Sequence, residues 1–342
     1  MIIIPSADIY VKTAAGKNYR ITKFAKCKVT QARLMPCDVC ELTLPKLDSL
    51  KLFHENDEIA VVLGSDRAGS AAVFKGFISR LAPKNEPVLV CEDYFKTFKE
   101  KRNTQSYFDT ADSIARGVIE FCGFTPLIPD TWEKKQHFYW KMQTAAEALE
   151  DLAQIGWDYF LIPTTHKIYF GKPYGLPDSV SPNLPIYFYR FGLNVIESQL
   201  EYRTASPVNQ AIVYVTDGKF RGNSIKITEG TGDPSRLYNL QMDFDPENES
   251  SVNGAIGQAR KFAKQEIAQS RVSGYYGTFK AFGNPFVSHS MKIKIEDPDK
   301  QERSGHYFID QVIHEISPDS GYKMEISIGG SDVNPGGGSV LA

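Results

Sequence analysis

Cysteine is scarce in this chain: five residues in 342, at Cys27, Cys37, Cys40, Cys91 and Cys122. An odd number without dense spacing does not make a disulfide framework. Reduced thiols from synthesis in the cytoplasm are the simpler reading. A basic surplus is also missing. The 39 Lys and Arg residues face 41 Asp and Glu, for a formal charge of -2, whereas a nucleic-acid binder would show an excess of positive charge. Any contact with DNA must therefore be loose or locally arranged. No apolar run approaches the roughly 20 residues needed to cross a bilayer. The N-terminus, Met1-Ile2-Ile3-Ile4-Pro5, has no basic start and does not read as a secretory signal. The expectation is a chain made in the cytoplasm that does not insert into a membrane.

Catalytic signatures are absent as well. There is no Gly-x-Ser-x-Gly motif, and nothing in the sequence places His, Asp and Ser together. The glycines between 218 and 232 have neither the P-loop spacing nor the dinucleotide fingerprint. Cys37-Asp38-Val39-Cys40 has the spacing of a redox or zinc pair, but it runs on into Glu41-Leu42-Thr43-Leu44, a strand rather than the helix a redox pair would open. These are expected to be buried or edge strand cysteines. His306 and His314 share one face of a strand about 26 Å apart, too far to share a metal. The adjacent carboxylates Glu92-Asp93, Glu150-Asp151 and Glu296-Asp297 alternate faces if on strands. A glycosidase pair instead needs two carboxylates about 5–10 Å apart across a cleft. No catalytic, cofactor-binding or metal-ligating residue is assigned, and no cofactor is expected.

What the sequence does hold is aromatic residues and strand patterning. Tyr numbers 17 and Phe 21, which suggests many strands or large interfaces. The length suits two or three domains. Alternation predicts strands near 9–12, 19–22, 37–44, 58–63, 72–81 and 87–92, punctuated by Gly64, Gly69 and Gly76. Helices are predicted from 111 to 122 and from 144 to 156. Thr144 and Glu147 have capping-box spacing at the start of the second. The basic run from Lys96 to Arg102 reads as a solvated surface at a domain junction. Prolines 173, 177, 182 and 185 mark a crossing segment. Later strands fall near 195–202, 210–216, 288–296, 307–316 and 322–328. Both faces of 307–314 carry apolar groups, so burial on two sides is expected there, with Asp310 the odd member. The fold class is α+β, mostly β. The expected division is 1–95, a β-barrel; 96–175, an α/β unit; 176–332, a second barrel with a helix near 251–270; and 333–342, a flexible tail.

Several segments together resemble the late control gene D family, the baseplate hub proteins of contractile phage tails, including Mu-like phages, and their type VI secretion relatives. The segments are Phe53-His54-Glu55-Asn56-Asp57-Glu58-Ile59-Ala60-Val61, where Asn56-Asp57 stands for the usual Gly-Asp; Val73-Phe74-Lys75-Gly76-Phe77-Ile78; Glu92-Asp93-Tyr94 with Phe98-Lys99; the capping-box helix and the strand pair from 161 to 170; and Tyr307-Phe308-Ile309-Asp310-Gln311-Val312-Ile313-His314. They span roughly residues 5 to 330 in order. The resemblance implies two small β-barrel domains with an α/β insertion. It also implies a homotrimer whose six barrels form a pseudo-six-fold ring between a six-fold tail tube and a three-fold spike. The implied partners are the tube protein, the spike protein and other baseplate proteins, with DNA met only in passage through the lumen. The implied location is the virion tail baseplate. The rival readings are a tail-associated lysin and a glycan-binding surface module.

Overall fold

The computed structural model describes residues 4–66, 68–83, 85–132, 135–153, 157–174, 186–204, 208–217, 224–242 and 274–331, together with 252, 255–257, 259–260, 262–264 and 267. Seven strands come first: β1 (Pro5–Lys12), β2 (Asn18–Ile21), β3 (Lys26–Ala32), β4 (Val39–Thr43), β5 (Glu58–Ser65), β6 (Gly69–Ala82) and β7 (Val88–Asp93). They arise from period-two patterning. In β3, Cys27, Val29 and Gln31 are buried while Lys26, Lys28 and Thr30 are only partly covered. Gly76, in the segment that carried the resemblance, is required by close approach. A Cβ there would lie 2.1 Å from the carbonyl oxygen of Glu92 on β7, so any side chain would push β6 off its neighbour.

A mixed α/β unit follows: α1 (Lys96–Glu100), β8 (Arg102–Thr110), α2 (Ala111–Phe121), β9 (Thr125–Leu127), β10 (Lys135–Thr144), α3 (Ala145–Ala153), β11 (Asp158–Leu161) and β12 (Lys167–Gly171). Ile114, Val118 and Ile119 on α2 and Ala148, Leu149 and Leu152 on α3 pack on Phe98, Trp140 and Phe170 as one buried cluster. The capping box forms. The Thr144 amide and hydroxyl donate to Glu147 Oε2 at 2.7 and 2.8 Å, and the Glu147 amide donates back to Thr144 Oγ1 at 3.2 Å. Among the described residues strands β8 and β10 pair only with each other, and β12 lies between β11 and β9.

The rest of the chain comprises β13 (Tyr187–Arg190), β14 (Val195–Arg203), β15 (Gln210–Asp217), β16 (Ser224–Gly230), β17 (Ser235–Met242), β18 (Gly274–Phe282), β19 (Lys292–Glu296), β20 (Gly305–Ser317) and β21 (Gly321–Ser331). Strands β15 to β17 form a small separate sheet. Ala255, Ala259 and Ala263 pack against its Val213, Val215 and Ile227 in a cluster of their own. The described positions between 252 and 267 are helical, where a helix was expected. The greater part of the proline-rich crossing, 175–185, and the tail 333–342 lie outside the described residues.

The mostly-β α+β character is as expected, and the pairing adds something the sequence did not reveal. Strands from both ends of the chain belong to one 13-stranded sheet, ordered β14-β18-β21-β20-β3-β4-β7-β6-β5-β1-β2, with β19 and β13 branching from β20. The described pairings trace an open path with free ends at β2 and β14. Its halves are joined where β3 and β20 run antiparallel, Cys27–Ala32 against Gln311–Ile316. One hydrophobic core lies beneath both halves, running from Ile9 and Val61 to Phe279 and Ile326.

The expectation that β20 is buried on two sides is corrected. Tyr307 and Ile309 are buried, and then Val312, His314 and Ile316. The parity changes at Asp310, because the register with β21 shifts between Ile309 and Gln311. A β-bulge inserts one unpaired residue and resets which side chains face inward. What reads in sequence as two apolar faces is therefore one face with its phase reset.

Candidate functional site

Two buried junctions tie the α/β unit to the sheet. The first centres on Arg33, which follows β3. Its Nη1 donates to Asp158 Oδ2 of β11 at 2.5 Å and its Nε to Asp310 Oδ1 of β20 at 3.0 Å. Its guanidinium lies 4.5 Å from the centre of the Tyr174 ring. The Tyr174 hydroxyl donates to Asp310 Oδ1 at 2.6 Å, and the Arg33 amide donates to the Asp310 carbonyl at 2.8 Å. The bulge in β20 is what turns Asp310 toward Arg33. Gly329 makes the room: a Cβ there would fall 2.1 Å from the Tyr174 hydroxyl and 2.3 Å from Asp310 Oδ2. Burial raises the Asp158 carboxyl above its ordinary range even though Arg33 pulls it down. Burial alone would lower Arg33, but Asp158, Tyr174 and Asp310 together push it up. Desolvation of Asp158 exceeds what Arg33 returns, as is common for buried ion pairs. The arrangement fixes geometry among three distant segments.

The second junction is acidic. Asp93, at the end of β7, accepts hydrogen bonds from the amide of Asp38 at 3.0 Å, the amide of Phe95 at 2.8 Å and the thiol of Cys37 at 3.2 Å. Asp38 accepts from the Ala32 amide at 3.3 Å, and its carbonyl accepts from the Asp93 amide at 3.1 Å. Both carboxyls are buried. Burial pushes Asp93 up to about 7 against the pull of its three donors. Burial and then the neighbouring Asp93 raise Asp38 as well. Two carboxylates confined together cannot both ionise cheaply, so burial favours the protonated form here, where a cation compensates at the first junction.

The CxxC spacing is split between two cores. Cys37 belongs to the α/β cluster and bonds Asp93, whereas Cys40 lies in the sheet core with its sulfur 4.0 Å from that of Cys27. All five cysteines are buried and free. His314 is fully buried, its Nδ1 2.8 Å from the Tyr322 hydroxyl, and burial depresses it to about 4. It is a packing residue. Glu92 and Asp93 do point to opposite faces: Glu92 pairs with Lys99 at 2.8 Å while Asp93 is buried. Asp151 accepts from Gln143, and Asp297 accepts from the amides of Asp299 and Lys300. The basic run is structurally engaged. Lys96 and Lys99 form ion pairs, Lys101 caps the carbonyls of Phe121 and Cys122, and Arg102 binds the carbonyl of Met142. Among the described residues no group of three metal-ligating side chains converges, and no helix is long and apolar enough to cross a membrane.

The outward face of the great sheet carries alternating charge. Lys28 lies opposite Glu41 on one side and Glu315 on the other, Glu315 opposite Lys323, and Lys280 opposite Glu325. Lys26 bonds Glu315 and Lys280 bonds Glu197, each at 2.8 Å. Opposite charges across strands stabilise a sheet modestly, and this face is close to self-neutralised. Neither junction was assigned from the sequence. Arg33, Asp158 and Asp310 are separated by 125 and 277 positions, and Asp310 gave the only signal, as a charge inside an apolar strand.

No family model and no curated protein matches the chain. Solved structures do. The tail protein from Neisseria meningitidis MC58 superposes with a TM-score of 0.65 at 15% identity, over 96% of this chain and 98% of that one. The 43 kDa tail protein of prophage MuSo2 from Shewanella oneidensis gives 0.61 at 15% identity, over 94% and 97%. A type VI secretion component of E. coli, described as structurally similar to the T4 bacteriophage tail proteins gp27 and gp5, gives 0.51 at 9% identity, over 90% and 73%. The chain has the fold of these tail proteins along almost its whole length; the mostly-β α+β class agrees with the sequence resemblance, while the described pairings form one open sheet and not the two closed barrels it implied.

Proposed function

We propose that the chain is a structural baseplate hub protein of a phage or phage-like contractile tail, and not an enzyme. It assembles as a homotrimer, and the ring adapts a six-fold tail tube to a three-fold spike. The observation that carries this reading is the full-length likeness to tail proteins, end to end rather than over one module. The internal organisation supports it. Two β lobes, formed mainly by β1–β7 and by β13, β14 and β18–β21, share one sheet, so each chain offers two broadly similar contacts. Three chains then offer six contacts, which is the adapter geometry. The unit 96–175 is an insertion between the lobes, and 1–95 and 176–332 are the barrel domains of this plan. The partners are the tube protein, the spike protein and other baseplate proteins, in the virion tail. The near-neutral outward face suits a wall past which DNA moves without sticking, since polyanion binding needs uncompensated basic groups.

Light scattering of the purified full chain at micromolar concentration, followed by negative-stain imaging, tests this. A ring-shaped trimer is expected. A strictly monomeric or dimeric species across a wide concentration range overturns the hub reading.

A further inference from the structure

The ribbon of β8 and β10 is a sheet of its own, and it is covered on one face only. On that face Trp140 lies in the core of the α/β unit, with Tyr107 and Phe138 packed against it. On the other face, Ser106 and Phe108 of β8 lie opposite Tyr139 and His137 of β10, and Lys135 and Lys141 stand at the two ends of the same row. All six are exposed, Phe108 to 59% and Tyr139 to 48%. The Phe108 and His137 rings touch, with centroids 4.4 Å apart. Tyr139 follows His137 by two residues, about 7 Å along the strand. The result is a continuous aromatic row with a hydroxyl beside it and a cation at each end. The two strands contain one acidic residue, Asp109. It has the opposite parity and accepts from the Thr110 amide at 2.9 Å and the Ser113 hydroxyl at 2.8 Å. Lys135 comes only within 3.9 Å of it. Further along, Arg102 bonds the Met142 carbonyl and Glu147 the Thr144 hydroxyl, and their charges offset each other.

We infer that this face of the ribbon binds an anionic polysaccharide. A single exposed apolar residue needs no explanation, but a contiguous row does. The flat faces of sugar rings carry C–H groups that lie well on aromatic rings, and Tyr and His offer an apolar body with a polar tip for the sugar hydroxyls. The lysines select the charge of the occupant. They lie six residues apart on one strand, about 20 Å, with rings and a hydroxyl between them. A nucleic acid carries a charge on every residue and calls for a longer basic run. A polysaccharide in which uncharged sugars separate the carboxylates fits two cations flanking a row of rings. A protein strand is the poorer occupant, because lysines on a strand edge deter pairing with another strand. The inference concerns the α/β unit and stands independently of the ring reading above.

Fluorescence anisotropy of labelled oligosaccharides of hyaluronan and of unsulfated chondroitin, titrated with the full chain, tests it. A chito-oligosaccharide serves as the uncharged control and oligothymidylate as the nucleic-acid control. Binding of the acidic oligosaccharides is expected, weakening as salt screens the exposed lysines. Tyr139→Ala and Phe108→Ala are each expected to weaken it about tenfold, the effect of losing an aromatic anchor, and Tyr139→Phe far less. Lys135→Gln with Lys141→Gln is expected to weaken it and to remove the salt dependence. Circular dichroism melting checks folding, and where an alanine variant melts early the lysine double variant decides. The inference is overturned if neither acidic oligosaccharide binds, if the chito-oligosaccharide binds equally well, or if oligothymidylate binds more tightly through the same residues. Binding that survives both alanine variants overturns it too. So does a variant that lowers the assembled mass in light scattering, which would place this face in a subunit contact.

Discussion

The two junctions beneath the α/β unit do the same mechanical job with opposite chemistry. At Arg33 two carboxylates from remote segments are held by one guanidinium, and the bonds are directional. At Asp93 two carboxyls are held by backbone amides and a thiol, and burial favours their protonated form. In both, burial raises a carboxyl above its ordinary range, so neither charge is cheap. The difference lies in what compensates. A cation fixes direction and stays put with pH, whereas a proton leaves when the solution takes it.

The largest expected break is Arg33→Met. Removing one partner of a buried pair leaves uncompensated charge, and a loss of about 3–5 kcal/mol is expected in urea unfolding. Adding Asp158→Leu and Asp310→Leu should recover much of that loss. A triple variant no more stable than Arg33→Met would show that the bulge and Tyr174, rather than the charges, carry the junction. Next is Asp93→Ala, which orphans the amides of Asp38 and Phe95. A cost of about 1–3 kcal/mol is expected for each buried donor left unsatisfied.

The pH response sharpens the contrast. A carboxyl near 3.9 in the unfolded chain and at about 7 when folded contributes stability that is complete below about pH 4 and is lost as pH rises through about 7. The melting temperature should therefore fall between pH 5.5 and 8. Asp38→Asn should flatten that fall, because it removes the second buried carboxyl, which burial and then the neighbouring Asp93 raise. Arg33→Met should steepen it, because Asp158 loses its cation. An unchanged slope in Asp38→Asn would place the titrating group elsewhere. The smallest effect is expected from Cys37→Ser, where a hydroxyl can still donate to Asp93. It should cost less than Cys40→Ser, which puts a hydroxyl into the apolar sheet core, with both falling within about 0.5–3 kcal/mol.

Period-two alternation announced most of the first seven strands and the last two, and the capping box of Thr144 and Glu147, with the apolar stripe of Ala148, Leu149 and Leu152, announced α3. Strand β3 escaped because its inward residues, Cys27, Val29 and Gln31, are not the bulky apolar set that marks a strand. Strands β8 and β10 escaped because a ribbon largely open to solvent keeps many polar side chains, and β16 because its stretch lies among scattered glycines. The bulge at Asp310 is invisible to any fixed-period reading, and it is what converted one buried face into an apparent two. The junctions escaped for a different reason. Each joins residues whose partners are set by how the chain closes on itself, and nothing local to Arg33 or Asp158 distinguishes them from surface charges.

The ladder between β3 and β20 has a mechanical consequence. Among the described strands it is where the ladder joins the two sheet halves, Cys27–Ala32 against Gln311–Ile316, and the Arg33 amide extends it with a bond to the Asp310 carbonyl. A continuous sheet behaves as a stiff plate, so a thrust delivered at the β14 edge reaches the β2 edge through this seam instead of being absorbed by a hinge. Strands loaded along their length share the force over all their rungs at once, whereas strands peeled sideways surrender them one by one. The direction in which the plate is pushed therefore decides how much the seam can bear.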